Sequence, residues 1–448
     1  MYKETKVFEQ YESGVRSYCR HFPVNFKRAR DSFMYDMADN KYIDLLSGAG
    51  ALNFGHNNQL IKNAVISYMQ DDGILMSLDL HTKAKEDFLA TFNQIILKPR
   101  GLDYKIQFTS PSGTSVVESA VKLARKVTGR HNVICFTNGF HGMSGTSLSL
   151  TGNRAQRQAI SEGGITRLPY EGYLGESYDS ISYYRKLFID ASSGVDLPAA
   201  IILETVQGEG GVNVASPYWL KKLKQLSVEF GIKLIIDDIQ AGCGRTGQFF
   251  SFERAEIVPD LVCLSKSIGG IGLPMAILLI SPDIDQWKPG EDNGTFRGNN
   301  LAFIAAQKML SLYWSDSTLI EQIKFKESMI SNFFEQQKKK FGLYIKDCRG
   351  IGLMQGIEFY DESLARKVIE NCFTDKLLIE TCGARDQVVK LMPALTIEAE
   401  LLQLALDKIG SAIARVCSLA EVEPEKESIG SYITNPLQYA DFSKSIAG

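Results

Sequence analysis

The stretch from Ala200 to Leu273 constrains the fold more than any other. It reads AAIILETVQGEGG, a helical segment, KLIIDDIQAGCGRTG, and then PDLVCLSKSIGGIGLP. Three short apolar runs end at Glu204, at Asp237 and near Lys266. Short apolar runs bounded by Gly and Pro read as buried strands, and the intervening helix makes a parallel crossover. In open α/β sheets, ligands sit beyond the carboxyl ends of the strands. Glu204, Asp237 and Lys266 are therefore expected to face one crevice.

An acid and a lysine brought together there have two readings. One is a salt bridge between neighbouring strand ends. The other is pyridoxal phosphate chemistry, in which Lys266 holds the cofactor covalently and Asp237 pairs with its protonated ring nitrogen. Upstream, PSGTSVVESAVKLARKVTGR is a clear helix with an apolar stripe, Val117, Val121, Ala124 and Val127, and with Gly129 as its cap. Ser112, Gly113 and Thr114 open it. They are either an ordinary N-cap or a phosphate site built on free N–H groups and the helix dipole. Phe140 and His141 follow the next strand; the aromatic ring either stacks on a flat cofactor or packs in the core.

Ser216-Pro217 starts a second well-marked helix, with Leu220, Leu223, Leu226 and Phe230 on one face. FMYDMADNKYIDLL reads as strand, turn and strand, ahead of a small-residue loop from Ser47 to His56. That loop suits either close approach to a ligand or a flexible linker. RGIGLMQGIEF reads as a strand after a glycine turn, VVKLMPALTI as another strand, and the segment from Glu398 to Leu419 as a helix. The tail beyond Leu419 is poor in apolar residues and is expected to be loosely held.

A chain of 448 residues exceeds one ordinary core, so two domains are expected. The boundaries expected are 1–58 for the N-terminal part of a small domain, 59–325 for a large domain, and 326–448 for the rest of the small one. A formal net charge of −3 provides no positive field for nucleic acid. No run is long and apolar enough for a membrane span, and the N-terminus lacks the apolar core of a signal peptide. Eight cysteines without a C-x-x-C pair read as reduced thiols of a cytoplasmic protein. Five histidines without ligand spacing give no expectation of a metal. The absence of G-x-G-x-x-G after an early strand sets aside a dinucleotide-dependent dehydrogenase.

In combination, SGTSVVES, GFHG, ETVQGEGG, DDIQAGCGRTG, the Lys266 segment and NGTFRGNN are specific. From about Phe33 to Ala414 the chain resembles the class III aminotransferases. ILKPRGLDYKIQF, KLARKVTGR, GLPMAILLI and NGTFRGNNLAF are similar to the diaminobutyrate–2-oxoglutarate branch. The resemblance implies an α/β chain of pyridoxal-phosphate fold type I. It implies a large domain around a mostly parallel seven-stranded sheet and a smaller α/β domain from both termini.

It also implies roles. Lys266 would carry the cofactor, Asp237 would hold the ring nitrogen, and Gln240 would reach the phenolic oxygen. Ser112, Gly113 and Thr114 would bind the phosphate, and Phe140, next to His141, would stack on the ring. Thr295 would reach the phosphate of a second subunit, making a homodimer with a shared site. Glu204 would be the acid that pairs with a base near the substrate, Lys390 being its expected partner. Met143 and Lys390 stand where many members have arginine. Lys390, Arg385 and Arg297 are thus the candidates for the substrate carboxylate. The implied reaction moves the terminal amine of L-2,4-diaminobutyrate to 2-oxoglutarate. Alternatives are another ω-amine donor, namely ornithine, 4-aminobutyrate or a diamine, and a cofactor-binding regulatory protein without turnover.

Overall fold

The computed structural model describes residues 6–158 and 163–422. Three strands come first, β1 (Phe26–Arg30), β2 (Phe33–Asp36) and β3 (Lys41–Asp44), paired as an antiparallel meander. The turn between β2 and β3 places Asp39 at φ 61°, a left-handed position that Asp tolerates.

The large sheet contains β4 (Lys105–Phe108), β5 (Val133–Phe136), β6 (Ile165–Leu168), β7 (Ala200–Leu203), β8 (Lys233–Asp237), β9 (Leu261–Leu264) and β10 (Ile277–Ile280). Its spatial order is β4-β10-β9-β8-β7-β5-β6. Only β10 runs antiparallel to its neighbours. Every residue of β5, β7, β9 and β10 is buried, which is why these strands read as continuous apolar runs. Because β7, β8 and β9 lie side by side and parallel, Glu204, Asp237 and Lys266 emerge from one end of the sheet.

Local chemistry sets the flanking helices. In α1 (Gly113–Thr128), the Ser112 hydroxyl accepts the Ser115 N–H, and Gly129 closes the helix at φ 66°. In α2 (Pro217–Glu229), Ser216 caps the Trp219 N–H, and Trp219, Leu220, Leu223 and Leu226 are buried. Helices α3 (Asn300–Tyr313) and α4 (Thr318–Phe341) follow, and α4 runs without a break across position 325.

The second unit holds β11 (Ile345–Ile351), β12 (Met354–Phe359), α5 (Glu362–Thr374), β13 (Glu380–Cys382), β14 (Val388–Leu391) and α6 (Ala399–Val422). Its sheet is antiparallel, in the order β11-β12-β14-β13. RGIGLMQGIEF is a strand after a glycine turn, as expected; the turn falls at Gly352 with φ 59°, and β11 pairs across it. One expectation is corrected here. The strand read from VVKLMPALTI stops at Leu391, just ahead of Pro393, which has no N–H for a ladder. Leu377 and Leu378 pair in parallel with β3, so segments from both ends of the chain share a sheet. Most of the tail after Leu419, from 423 onward, lies outside the described residues.

Arg245 ties these parts together. It is fully buried, and it donates to the carbonyls of Leu353 (3.0 Å) and Pro393 and to Asn53 Oδ1. Three distant segments thus share one donor fork.

Candidate active site

Asp237 is the last residue of β8 and is buried. Its Oδ2 lies 2.7 Å from His141 Nδ1, and its Oδ1 accepts the Ile239 N–H at 3.3 Å. Lys266 stands two residues beyond β9, at φ 52°. That conformation costs a lysine about 1–3 kcal/mol and persists only where surrounding structure enforces it. The amine donates to the carbonyl of Ala49 at 2.8 Å. Desolvation pushes its pKa below the ordinary lysine value, Lys390 adds to the effect, and Glu209, Glu380 and Asp237 oppose it. A lysine so shifted is more often a free base, as a nucleophilic amine must be.

The Ala49 carbonyl is delivered by an unusual loop. Ser47, Gly48, Ala49 and Gly50 all have positive φ, between 48° and 84°. Successive left-handed residues are unfavourable for Ser and Ala. The Asp44 carboxylate holds the loop by accepting the N–H groups of Leu46 (2.8 Å) and Ser47 (2.9 Å). Ser267 Oγ holds the other end, donating to the Gly50 carbonyl at 2.7 Å. The expected small-residue loop is therefore a close-approach device, built against the residue after Lys266.

Gln240 shares the same carbonyl. Its Nε2 donates to Ala49 O at 3.0 Å and to Glu209 Oε1 at 3.1 Å, while its Oε1 is buried with no hydrogen-bond partner. A Cβ on Gly208 would come within 1.7 Å of that Oε1, so a side chain there would displace the Gln240 amide. The start of α1 abuts this group: a Cβ on Gly113 would lie 3.2 Å from Ile239. The Thr114 hydroxyl bonds with Ser144 (3.0 Å) and Ser147. Thr295 is exposed, and its neighbour Gly294 packs on Ser110, in the turn leading into α1. These groups fit a flat phosphate-bearing pyridine aldehyde. A lysine amine, a buried carboxylate, an unpartnered amide oxygen, the half-buried Phe140 and a long helix's N-terminus lie around one opening.

Glu204 does not pair with Lys390. Its two oxygens accept the N–H groups of Phe140 (2.9 Å) and Gly208 (3.1 Å). Burial pushes its pKa up to about 7, with His141 opposing and Asp237 adding. The expected pairing fails because β7 aims Glu204 at the backbone of the Phe140 loop. The acid that reaches Lys390 is Glu209, five residues on in the same glycine-rich run. Lys390 is fully buried and donates to Glu209 Oε1 at 2.8 Å, with Glu380 Oε1 at 3.0 Å. Burial alone would raise Glu209, but Lys390 and Lys266 outweigh it and hold its pKa down to about 2. Arg385 is exposed in the turn before β14, 3.8 Å from Glu362. Arg297 is bonded to Asp79 (2.6 Å) and to the carbonyl of Asp292 (2.9 Å). All three candidate cations are therefore already paired within the chain, and Glu209 and Glu380 are the residues that sequence reading missed.

Asp238, behind the site, provides a test of these electrostatics. Its Oδ2 accepts the Ser251 N–H at 3.0 Å, and its Oδ1 is buried without a partner. Burial raises its pKa from 3.8 to about 7. Between those values the folded state binds the extra proton, so this group's contribution is fully present below the lower value and is lost as pH rises through the upper one. Glu204 acts in the same direction. Asp238→Asn is expected to flatten the fall in stability across this window by up to about 1.4 kcal/mol per pH unit, measured by urea unfolding of the cofactor-free protein. An unchanged slope contradicts the assignment.

A sequence profile of the family described as Aminotransferase class-III matches residues 15–413. A diaminobutyrate–2-oxoglutarate transaminase from Halalkalibacterium halodurans is 50% identical over 421 residues, covering 94% of this chain and 98% of that protein. Proteins of the same name from Wolinella succinogenes (50% over 413 residues, 92% and 96%) and Vibrio cholerae (49% over 398 residues, 88% and 96%) are similar to the same extent. Among solved structures, an ornithine aminotransferase from Toxoplasma gondii superposes with a TM-score of 0.79 at 24% identity, covering 93% of this chain and 94% of that one. A transaminase from the marine bacterium Virgibacillus gives 0.82 at 20% identity, covering 93% and 99%. At those identities the structural matches speak for the fold.

Proposed function

This chain belongs to the class III aminotransferase family, and from that premise we propose that it exchanges the terminal amino group of L-2,4-diaminobutyrate with 2-oxoglutarate. The products are L-aspartate 4-semialdehyde and L-glutamate, and the exchange is reversible. The observation that carries this reading is 50% identity over 94% of the chain to a protein of that name. The cofactor is pyridoxal phosphate, which when bound supplies an electron sink for the carbon that loses a proton.

The chain's own residues supply the rest. Asp237, backed by His141, would hold positive charge on the ring nitrogen. Gln240, which shares the Ala49 carbonyl with Lys266, would reach the phenolic group. Gly113 and Thr114, at the head of α1, would take the phosphate, and Phe140, whose N–H Glu204 accepts, would cover the ring. The Lys266 amine, kept unprotonated by desolvation, would take the proton from C4 of the donor. On the acceptor, the carboxylate beside the reacting carbon needs a cation, whereas C4 of the donor carries none. Lys390 is that cation. Glu209, on the loop bounded by Gly208 and Gly211, masks it in the donor half-reaction and gives way in the other.

The assembly we infer is a homodimer. Ile74, Leu75, Met76, Leu78 and Leu80 are 39–63% exposed, and Phe296, beside Thr295, is 61% exposed. The 75–77 segment bonds to 298–300, so Thr295 shares a surface with this apolar run. A small domain from 1–58 and 326–448 around a large one from 59–325 is our division of the chain. The parallel pairing of Leu377–Leu378 with β3 supports it. Eight free cysteines support a cytoplasmic location.

A donor panel with 2-oxoglutarate, read as glutamate formed, tests the substrate. Ornithine and 4-aminobutyrate are expected to be at least about tenfold poorer in kcat/KM than diaminobutyrate, about 1.4 kcal/mol in transition-state binding. A preference for 4-aminobutyrate overturns the donor and leaves the aminotransferase standing.

A further inference from the structure

Lys390 has two acids around it and needs only one. Its hydrogen bond goes to Glu209 at 2.8 Å. Glu380 stands directly opposite on the neighbouring strand, since the β13–β14 register pairs Glu380 with Lys390. Its Oε1 lies 3.0 Å from Lys390 Nζ, so two carboxylates share one ammonium. The residue is 5% exposed. Two buried carboxylates against a single cation leave one negative charge in excess, which is costly to bury.

Contacts link this oxygen to the reacting amine. Lys266 and Gln240 share the Ala49 carbonyl, Gln240 bonds Glu209, and Glu209 bonds Lys390. Glu380 is also close enough to Lys266 to influence its charge. The phenol of Tyr18 is pushed up to about 12 by burial and then by Glu380 and Glu209.

The two substrates differ in what such an acid can do for them. 2-Oxoglutarate carries two carboxylates and no cation. L-2,4-Diaminobutyrate, with its 4-amine at Lys266, presents a second ammonium two carbons from the reacting carbon. 4-Aminobutyrate has the same chain and the same carboxylate but lacks that ammonium. We propose that Glu380 receives the 2-ammonium group of the diamino acid and separates this donor from monoamine donors. The inference rests on the donor reading above and adds the residue that enforces it. In the donor complex the donor's 2-ammonium and that of Lys390 then face Glu209 and Glu380, one cation for each acid. Without donor, burial raises the Glu380 pKa and Glu209 adds to the rise, while Lys390 and Lys266 oppose it.

The test uses the cofactor-loaded full chain and the rate of change of cofactor absorbance in each half-reaction. Glu380→Gln is expected to lower kcat/KM for diaminobutyrate at least about tenfold, while 4-aminobutyrate and 2-oxoglutarate change by less than about threefold. Glu380→Asp, which keeps the charge on a shorter stem, is expected to recover part of the loss, and it is the fallback if the Gln variant does not fold. Parallel loss with both donors makes Glu380 a purely structural residue and overturns the proposal, as does an unchanged diaminobutyrate rate. If the unaltered enzyme does not accept diaminobutyrate at all, the donor reading itself fails, and that result is seen before any variant is made.

Discussion

Lys266→Ala is expected to leave a folded protein that holds pyridoxal phosphate without a covalent bond and turns over about 10⁴-fold more slowly. Lys266 is the residue that follows β9 into the opening. Its backbone is held at φ 52°, and its amine bonds a backbone carbonyl. That geometry keeps the amine unprotonated more often than a surface lysine and aims it at one place. Alanine removes both the attachment point and the group that carries the proton. The rest of the site keeps its hydrogen bonds, because the Ala49 loop is still pinned by Asp44 and Ser267. Borohydride reduction of the unaltered holoenzyme, followed by peptide mapping, should tag Lys266. A tag on another lysine defeats the assignment.

Asp237→Asn is the second large effect. The carboxylate is buried at the end of β8, with His141 on one oxygen and the Ile239 N–H on the other. Asparagine has nearly the same shape, so the fold should survive. It cannot hold a proton on the ring nitrogen by charge. Breaking one side of a buried charge pair costs about 3–5 kcal/mol, which corresponds to a loss of about 10²- to 10⁴-fold in cofactor affinity or turnover. Cofactor affinity by fluorescence titration and kcat with the best donor measure the two. A variant within a few-fold of the parent on both removes Asp237 from its role.

The ends of the three strands were legible because a buried parallel strand leaves a plain trace: three or four apolar residues, then a charge within two positions. The caps of α1 and α2 were legible for a similar reason, since Ser112, Gly129 and Ser216 act on neighbours a few residues away. The partner of Lys390 was not legible. Glu204 and Glu209 lie five positions apart in one run, and the choice between them depends on how the loop after β7 turns back on the site. Glu380 was invisible because it meets Lys390 through strand register across a hairpin, which LLIETCGARDQVVKL does not reveal in its order of residues. The role of Ala49 was hidden too, since it acts through a carbonyl that any residue possesses, made available by four successive left-handed residues. In RGIGLMQGIEF the glycine turn and the strand after it were legible, and Gly352 makes that turn.

The most direct measurement follows the nitrogen itself. Diaminobutyrate labelled with heavy nitrogen at the 4-amine is incubated with the holoenzyme and 2-oxoglutarate, and the glutamate formed is weighed by mass spectrometry. The label is expected in glutamate, while label placed at the 2-amine stays with the four-carbon product. Transfer of the 2-amine label, or glutamate without label from either position, contradicts terminal amino transfer by this chain.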